Sequence, residues 1–352
     1  MKEITIGKHK IGTGHRPYVV AELSGNHNQS LERALKLVEV AKMTGVHAVK
    51  LQTYTPDTIT LDIKDGDFLI SDQKSLWKNR NLYDLYQEAH LPWEWHKPIM
   101  ERCHHLGLDV FSSPFDETAI DFLEKLKVPC YKIASPEIVD LPLIREAAKT
   151  GKPLIISTAA ATLEEIGEAV EAARSAGCQD LILLKCTASY PTKPIDSNIR
   201  TLTDLAKEFG TLVGVSDHSL GIGVAVASVA LGSCFIEKHF TVSRADGGVD
   251  SAFSMEPDEM KALVIESERA WEALGKVQYG PLPTEKVTLS HRPSLFFVEE
   301  LKEGTTVKAE HIRSVRPASG LPPKEIDNVI GLKLKAAVKK GTPVKWDLFK
   351  ER

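Results

Sequence analysis

The stretch Leu212-Val-Gly-Val-Ser-Asp-His218 runs from apolar residues into ionisable ones, and Cys234-Phe-Ile-Glu-Lys-His-Phe240 repeats that order further along the chain. Between them, the small residues of Gly221–Leu231 predict a helix. A helix that joins two short apolar runs is typical of a βαβ unit, whose two strands are parallel. The pattern therefore predicts two neighbouring buried strands that both end in polar residues.

Two histidines and a carboxylate are predicted to meet where these strands end. Side chains alternate between the two faces of a strand, so Ser216 shares a face with His218. By the same alternation, Glu237 shares a face with His239. Two imidazoles beside a carboxylate suit a divalent metal ion. The alternative is a pair of unrelated surface histidines on loops.

Six further segments repeat the pattern and predict the whole fold. Each is a short apolar run capped by polar residues, as expected of strands that are buried on both faces. Helical patterns separate most of the runs. Eight strands alternating with helices predict an α/β fold, a (β/α)8 TIM barrel. The predicted strands are Tyr18–Glu22, Ala48–Thr53, Asp109–Pro114, Cys130–Ser135, Pro153–Thr158, Leu181–Thr187, Leu212–His218 and Cys234–Phe240.

A long insertion and a separate tail interrupt this rhythm. The insertion, Thr55–Pro92, follows the second predicted strand and is long enough to shape the mouth of an active site. We expect the barrel in residues 1–280, a linker in 281–293 and a small, turn-rich β domain in 294–352. The tail repeats Lys302-Glu-Gly-Thr-Thr-Val-Lys308 as Lys339-Lys-Gly-Thr-Pro-Val-Lys345, which predicts two similar turn-and-strand units.

Composition restricts the class of protein. The net charge of −4 gives no footprint for nucleic acid or for an anionic membrane. No run approaches the roughly 18 apolar residues of a membrane span, and the N-terminus lacks the apolar core of a signal peptide. The five cysteines form no CxxC pair. We expect them to be reduced core residues of a cytoplasmic protein.

Ordered motifs at the predicted strand ends carry a resemblance to a known family. With them, the chain resembles the sialic acid (N-acetylneuraminate) synthase family over nearly its whole length. The tail, with Val315-Arg-Pro-Ala-Ser-Gly320, is similar to the family's antifreeze-like (SAF, β-clip) domain. The matching stretches are Ala21-Glu-Leu-Ser-Gly-Asn-His27, Val49-Lys-Leu-Gln-Thr53, Ser112-Ser-Pro-Phe115, Tyr131-Lys-Ile-Ala-Ser-Pro-Glu137, Ser157-Thr-Ala159, Cys186–Thr192, Ser216-Asp-His218 and Glu237-Lys-His-Phe240.

Details within the motifs resemble one branch of the family. Glu22-Leu-Ser and Tyr83-Asp-Leu-Tyr86 look like the pseudaminic acid synthases. That resemblance implies condensation of phosphoenolpyruvate with a 2,4-diacetamido-2,4,6-trideoxy-altropyranose and water, with release of phosphate. N-acetylneuraminate and legionaminate synthases of the same family are the alternatives. Ala188 stands where sialic acid synthases typically have Asn, so the contact with the sugar's acetamido group must differ.

The resemblance implies an anion site for phosphoenolpyruvate at the strand ends. Lys50 and Lys132 match the lysines that the family assigns to phosphoenolpyruvate. A lysine on an otherwise apolar strand also needs an anionic partner. The alternative is an internal salt bridge to an acid of the barrel. Small hydroxyl donors at four other strand ends would complete the site: Ser113, Ser135, Ser157 and Ser216.

The resemblance also implies the catalytic and metal-binding residues. Glu137 is similar to the family's carboxylate that holds the sugar and transfers protons at the sugar's carbonyl group. The alternative is an acid that stabilises a helix N-terminus. Glu22 is expected to contact the sugar or metal-bound water. His218 and His239 match the metal ligands, for which Mn²⁺ or Mg²⁺ would suit. The expected sugar contacts are Tyr190, Asp250 and, from the tail, Arg316.

The family places its antifreeze-like domain over the barrel of a partner, so the resemblance implies a domain-swapped homodimer in which Arg316 completes the other chain's sugar site.

Two readings from other classes remain open at this point. One is an aldolase whose Lys132 forms a Schiff base. The other is a non-catalytic sugar-binding protein.

Overall fold

A closed barrel of eight parallel strands forms the first of the two units into which the chain divides, Met1–Gly275 and Lys276–Arg352. The computed structural model describes residues 2–73 and 75–350. An antiparallel hairpin, β1 (Ile4–Ile6) with β2 (His9–Ile11), precedes the barrel. The barrel strands are β3 (Tyr18–Glu22), β4 (Ala48–Thr53), β5 (Asp109–Pro114), β6 (Tyr131–Ile133), β7 (Leu154–Ser157), β8 (Leu181–Cys186), β9 (Leu212–Ser216) and β10 (Ser233–His239). The predicted TIM barrel is confirmed.

Helices follow the strands and cover the barrel. Ser30 caps the first long helix by accepting a hydrogen bond from the Arg33 amide at 3.2 Å. Thr162 and Glu165 form a capping box at another helix. The helices of this unit are α1 (Leu31–Thr44), α2 (Pro56–Ile59), α3 (Leu82–Ala89), α4 (Trp93–His105), α5 (Glu117–Lys125), α6 (Leu141–Lys149), α7 (Leu163–Ser175), α8 (Thr201–Phe209), α9 (Gly223–Val229) and α10 (Pro257–Leu274).

Apolar side chains fill both sides of the strand wall. The outward-facing residues of the strands pack with the helices in the larger core cluster. The inward-facing residues, among them Phe111, Ile155 and Phe235, form a second cluster that includes Ile4 and Ile6 of the hairpin. Apolar residues therefore occupy both faces of these strands, which explains why the strands read as continuous apolar runs.

Strand register aligns the polar residues at the carboxyl ends of the strands. His239 of β10 lies opposite Glu22 of β3, and Glu22 lies opposite Lys50 of β4. On the other side of β10, Glu237 lies opposite Ser216 of β9. In a TIM barrel this end carries the active site. Register thus brings residues from distant parts of the sequence to one level.

The insertion Thr55–Pro92 connects β4 to α4 and includes α2 and α3. Tyr54 and Tyr86 stack edge to face across it, with ring centroids 5.6 Å apart. The Trp77 indole nitrogen donates to the carbonyl of Val249 at 3.0 Å. That bond joins the insertion to the segment after β10. Lys74 lies outside the described residues.

The second unit is built on an antiparallel pair of strands, β11 (Ser294–Phe297) and β12 (Ile312–Val315). Its short helices are α11 (Lys286–Leu289) and α12 (Ile326–Val329), and α11 lies inside the segment expected to be a linker. Gly304 and Gly341, at the same place in the two repeats, have φ values of +77° and +85°. Both repeats therefore make a turn that favours glycine, and a 3₁₀ turn follows each one.

Met1, Glu351 and Arg352 lie outside the described residues. In residues 2–73 and 75–350, no helix has both the length and the apolar character that a membrane crossing requires.

Candidate active site

A cavity of about 480 Å³ lies at the carboxyl ends of the barrel strands. Most of the predicted site residues line it, although they come from seven of the eight strands or the loops that follow them. The predicted residues in the lining are Glu22, Lys50, Lys132, Ser135, Glu137, Ser157, Tyr190, Ser216, His218, His239 and Asp250.

Two predicted residues lie outside the cavity lining. Ser113 of β5 is buried, and its hydroxyl has no hydrogen-bond partner among the described residues. Arg316 belongs to the second unit, where it is exposed directly after β12.

A buried ion-pair network forms part of the cavity floor. The Lys50 ammonium lies 2.9 Å from Glu22 Oε2 and 2.9 Å from Glu237 Oε1. Burial alone would lower the pKa of Lys50, but the two carboxylates raise it above its ordinary value. Burial would raise the pKa of Glu22, yet Lys50 and His239 hold it well below its usual range. The internal salt bridge, which the sequence left as an alternative for Lys50, is therefore present.

Lys132 is the less completely neutralised of the two lysines. Its Nζ lies 3.8 Å from Glu237 Oε1 and donates to the carbonyl of Ile133 at 3.2 Å. Burial lowers the pKa of Lys132, and repulsion from Lys50 adds to that effect. The hydroxyl of Ser157, also in the lining, is buried and has no hydrogen-bond partner within residues 2–73 and 75–350. An ammonium and a free hydroxyl at one cavity suit a phosphate or carboxylate ligand.

Glu137 lies on the 3₁₀ turn Pro136–Val139 that follows β6. Its Oε2 is buried, and it meets no hydrogen-bond partner in the described part of the chain. Burial raises the pKa of Glu137 to about 7, against the attraction of Lys132. A carboxyl group with this pKa can both donate and accept a proton near neutral pH.

The two histidines face one another across the end of the β9–β10 pair. Their ring centroids are 5.2 Å apart. His218 Nδ1 is 3.1 Å from the carbonyl of Thr187, and His239 Nδ1 is 3.1 Å from the hydroxyl of Ser24. A protonated Nδ1 that donates to a carbonyl leaves Nε2 free to act as a ligand. Near His239 Nε2, Glu22 Oε2 lies at 3.4 Å. Both histidines are buried and close together, so the alternative of unrelated surface histidines is excluded.

Aromatic rings surround the histidines. Tyr190 lies 4.5 Å from His218 between ring centroids, and Phe253 lies 4.9 Å from His239. Trp77 of the insertion approaches Tyr190 at 5.7 Å. Asp250 accepts a hydrogen bond from the amide of Gly25 at 3.4 Å, so it is anchored beside the same cavity.

Sequence reasoning missed several residues of the lining. Gln52 donates to Glu22 Oε1 at 2.7 Å and lies two positions after Lys50, so strand alternation would have found it. The predictions left Trp77, Tyr86 and Phe253 unassigned, although all three line the cavity. Tyr86 lies on the regular helix α3. No spacing rule identifies Trp77 and Phe253, because they stand on a turn and on a short 3₁₀ segment.

Within the described ranges, no cluster of three or more His, Cys, Asp or Glu side chains has the geometry of a metal site. The ligand set that the histidines offer is thus limited to the two imidazoles, with Glu22 nearby.

Comparison with known proteins identifies the family of the chain. The profile of the NeuB family matches residues 37–279, and that of the SAF domain matches residues 292–350. The chain belongs to the NeuB family. The second match confirms the expected antifreeze-like domain.

Named relatives align over nearly the whole chain. The pseudaminic acid synthase of Helicobacter pylori is 40% identical over 94% of this chain and 97% of its own. The N,N'-diacetyllegionaminic acid synthase of Legionella pneumophila is 34% identical over 96% and 95% of the two chains. The crystal structure of N-acetylneuraminic acid synthetase from Leptospira borgpetersenii, in complex with citrate, superposes with a TM-score of 0.73. It is 31% identical and covers 82% of this chain and 95% of that one.

Proposed function

We propose that this protein is a carbon–carbon bond-forming transferase that condenses phosphoenolpyruvate with a 2,4-diacetamido-2,4,6-trideoxy-altropyranose to give pseudaminic acid. One observation carries the proposal: buried Lys132, the buried carboxyl group of Glu137 and the paired histidines line a single cavity at the catalytic end of the barrel. Identity of 40% to a pseudaminic acid synthase, against 34% to a legionaminic acid synthase, favours the altro-configured acceptor.

The lysines and serines would hold phosphoenolpyruvate. Lys132, the less neutralised lysine, would bind its phosphate or carboxylate, and Ser157 would donate a hydrogen bond to the same ligand. Lys50 would contribute positive potential while it remains paired with Glu22 and Glu237. Such charge-assisted contacts orient an anion and also replace its lost hydration.

Glu137 would move the proton at the reacting carbonyl. The sugar reacts as its open-chain aldehyde, and C3 of phosphoenolpyruvate forms a bond to the aldehyde carbon. The aldehyde oxygen becomes a hydroxyl by taking a proton, which the raised pKa of Glu137 makes available near neutral pH. Water then adds to C2 of the former phosphoenolpyruvate and gives one proton to Glu137, which restores its carboxyl group. The bond from C2 to the phosphate oxygen breaks, phosphate leaves with the remaining proton of that water, and C2 becomes a ketone. Tyr190 and Asp250 would contact the sugar during these steps.

Two facing imidazoles offer nitrogen ligands to a divalent metal ion. His218 and His239 would hold it, because backbone and hydroxyl oxygens fix their Nδ1 atoms and leave the Nε2 atoms as ligands. Glu22 lies close enough to His239 to bind the ion or its water. When bound, Mn²⁺ or Mg²⁺ would supply Lewis acidity at the aldehyde oxygen.

A second mechanism is favoured by one feature of Lys132. Its lowered pKa is what a Schiff-base nucleophile requires. Treatment with borohydride and substrate separates the two mechanisms, because only the Schiff base leaves a covalent adduct on the lysine. We expect no adduct.

Assembly and location are also part of the proposal. The protein would act in the cytoplasm as a domain-swapped homodimer, with Arg316 of one chain reaching the sugar of the other. The family membership supports this arrangement, and the exposed guanidinium of Arg316 suits contact with sugar oxygens.

Phosphate release with competing sugars tests the function. Wild-type protein is given phosphoenolpyruvate, Mn²⁺ and one of three acceptors: the altro diacetamido sugar, its manno counterpart or N-acetylmannosamine. The expected result is the highest kcat/KM with the altro sugar. A preference for the manno sugar would assign the protein to the legionaminate synthases, and no release with any acceptor would refute the proposal.

A further inference from the structure

The cavity has a polar floor and an apolar wall, and the insertion Thr55–Pro92 supplies much of that wall. The floor consists of the strand-end lysines, carboxyl groups, hydroxyls and histidines described above. From the insertion, the lining receives mainly carbon-rich side chains, and hydroxyl groups come only from Ser75 and Tyr86: Ile59, Ile70, Ser75, Trp77, Leu82, Leu85, Tyr86 and Ala89.

The wall is apolar in its contacts as well as in its composition. Trp77 already uses its indole N–H on the carbonyl of Val249, so it presents its ring to the cavity. Ile59, Ile70 and Leu82 line the cavity and are half-buried, so part of each side chain is exposed. Polar groups of a ligand would find few hydrogen-bond partners here, whereas methyl groups would be removed from water.

The acceptor's chemistry decides which of its groups reach this wall. The aldehyde carbon must approach phosphoenolpyruvate at the polar floor, so the far end of the sugar chain extends away from the floor toward the wall of the cavity. In the diacetamido trideoxy sugar, that end carries a methyl group at C6 and an acetamido methyl at C4. N-acetylmannosamine has hydroxyl groups at both places.

We propose that Ile59, Ile70 and Leu82 of the insertion are specificity-determining residues that select 6-deoxy diacetamido acceptors over acceptors with a hydroxylated far end. This inference rests on the proposed function and assigns the distal half of the same site. The apolar wall favours methyl groups and penalises hydroxyl groups that it cannot pair.

Substitution of neighbouring residues with opposite orientations tests the proposal. Ile70→Thr keeps the β-branched shape but places a hydroxyl in the wall. Leu69→Thr is the matched control, because Leu69 is 41% exposed and lies outside the cavity lining. Ile59→Thr, from α2, serves as an independent second variant. For each protein, kcat/KM is measured with the diacetamido sugar and with N-acetylmannosamine.

The expected result is a fall of about tenfold in the ratio of the two kcat/KM values for Ile70→Thr and Ile59→Thr. The change should lie mainly in KM for the sugar, with KM for phosphoenolpyruvate unchanged. Because both sugars are measured on one preparation, partial unfolding cancels from the ratio.

The possible results separate this inference from the proposed function. A ratio that stays at the wild-type value in both isoleucine variants, or that falls equally in Leu69→Thr, overturns the role of the wall alone. A wild-type protein that releases no phosphate with either sugar refutes the proposed function, and the inference falls with it.

Discussion

Replacing Glu137 by glutamine should stabilise the protein at alkaline pH and leave its stability unchanged at acid pH. Burial raises the pKa of this carboxyl from 4.5 to about 7. The folded state therefore binds the proton more tightly than the unfolded state, so wild-type stability decreases as pH rises through that interval. Glutamine carries no ionisable proton, so the free energy of unfolding of the variant should not show this decrease.

The magnitude follows from the size of the shift. At 1.36 kcal/mol per pKa unit, an increase from 4.5 to about 7 corresponds to about 3 kcal/mol. The buried Oε2, which has no hydrogen-bond partner among the described residues, explains why ionisation is unfavourable there. The free energy of unfolding of Glu137→Gln minus that of wild type should rise from near zero at about pH 4 to ~3 kcal/mol at about pH 8.

Urea unfolding followed by circular dichroism, at several pH values and with reversibility checked, measures this difference. Glu171→Gln on α7 is the matched control, since it makes the same chemical change at an exposed position. The pH profile of phosphate release should also lose its ionisation near pH 7 in Glu137→Gln. A Glu137→Gln difference that is constant from acid to alkaline pH would refute the reasoning.

Four further predictions concern the rest of the site. Chelation should abolish turnover and Mn²⁺ should restore it; full activity with metal content verified as nil would contradict the metal's role. Lys132→Ala should weaken phosphoenolpyruvate binding by roughly 1.5–3 kcal/mol in calorimetry, while sugar binding changes little; unchanged affinity would place the anion site elsewhere. In the wild type, the Lys238 ammonium lies 2.9 Å from Asp217. Lys238→Met should destabilise the barrel by roughly 3–5 kcal/mol, because it leaves Asp217 as an unpaired buried charge. A urea midpoint equal to that of wild type would argue against this. Mixing Arg316→Ala with Lys132→Ala should restore activity once mass spectrometry confirms subunit exchange, and exchanged heterodimers without activity would exclude the swap.

Local patterns in the sequence were enough to predict the barrel and the polar residues at the ends of its strands. Apolar runs that end in polar residues identify strands such as Leu212–Ser216, because burial on both faces leaves only the strand end available for polar groups. Capping residues such as Ser30 and Thr162 act within one turn of helix, so their signal is local as well.

Residues on irregular segments were not predictable in this way. Trp77 and Phe253 reach the cavity from loops, where no fixed period relates position in the sequence to direction in space. The insertion was expected to shape the mouth of the site, but its apolar wall became visible only when its chain path was known.

The sequence by itself determined which residues stand at the strand ends, since that follows from periodicity along each strand. Only the tertiary structure decided their partners. Lys50 is paired with Glu22 and Glu237 because barrel closure places β10 beside β3. Glu137 has its raised pKa because surrounding segments bury it without a hydrogen-bond partner in the described chain. Charge and protonation depend on distances between segments that are far apart in sequence, and a linear pattern does not contain those distances.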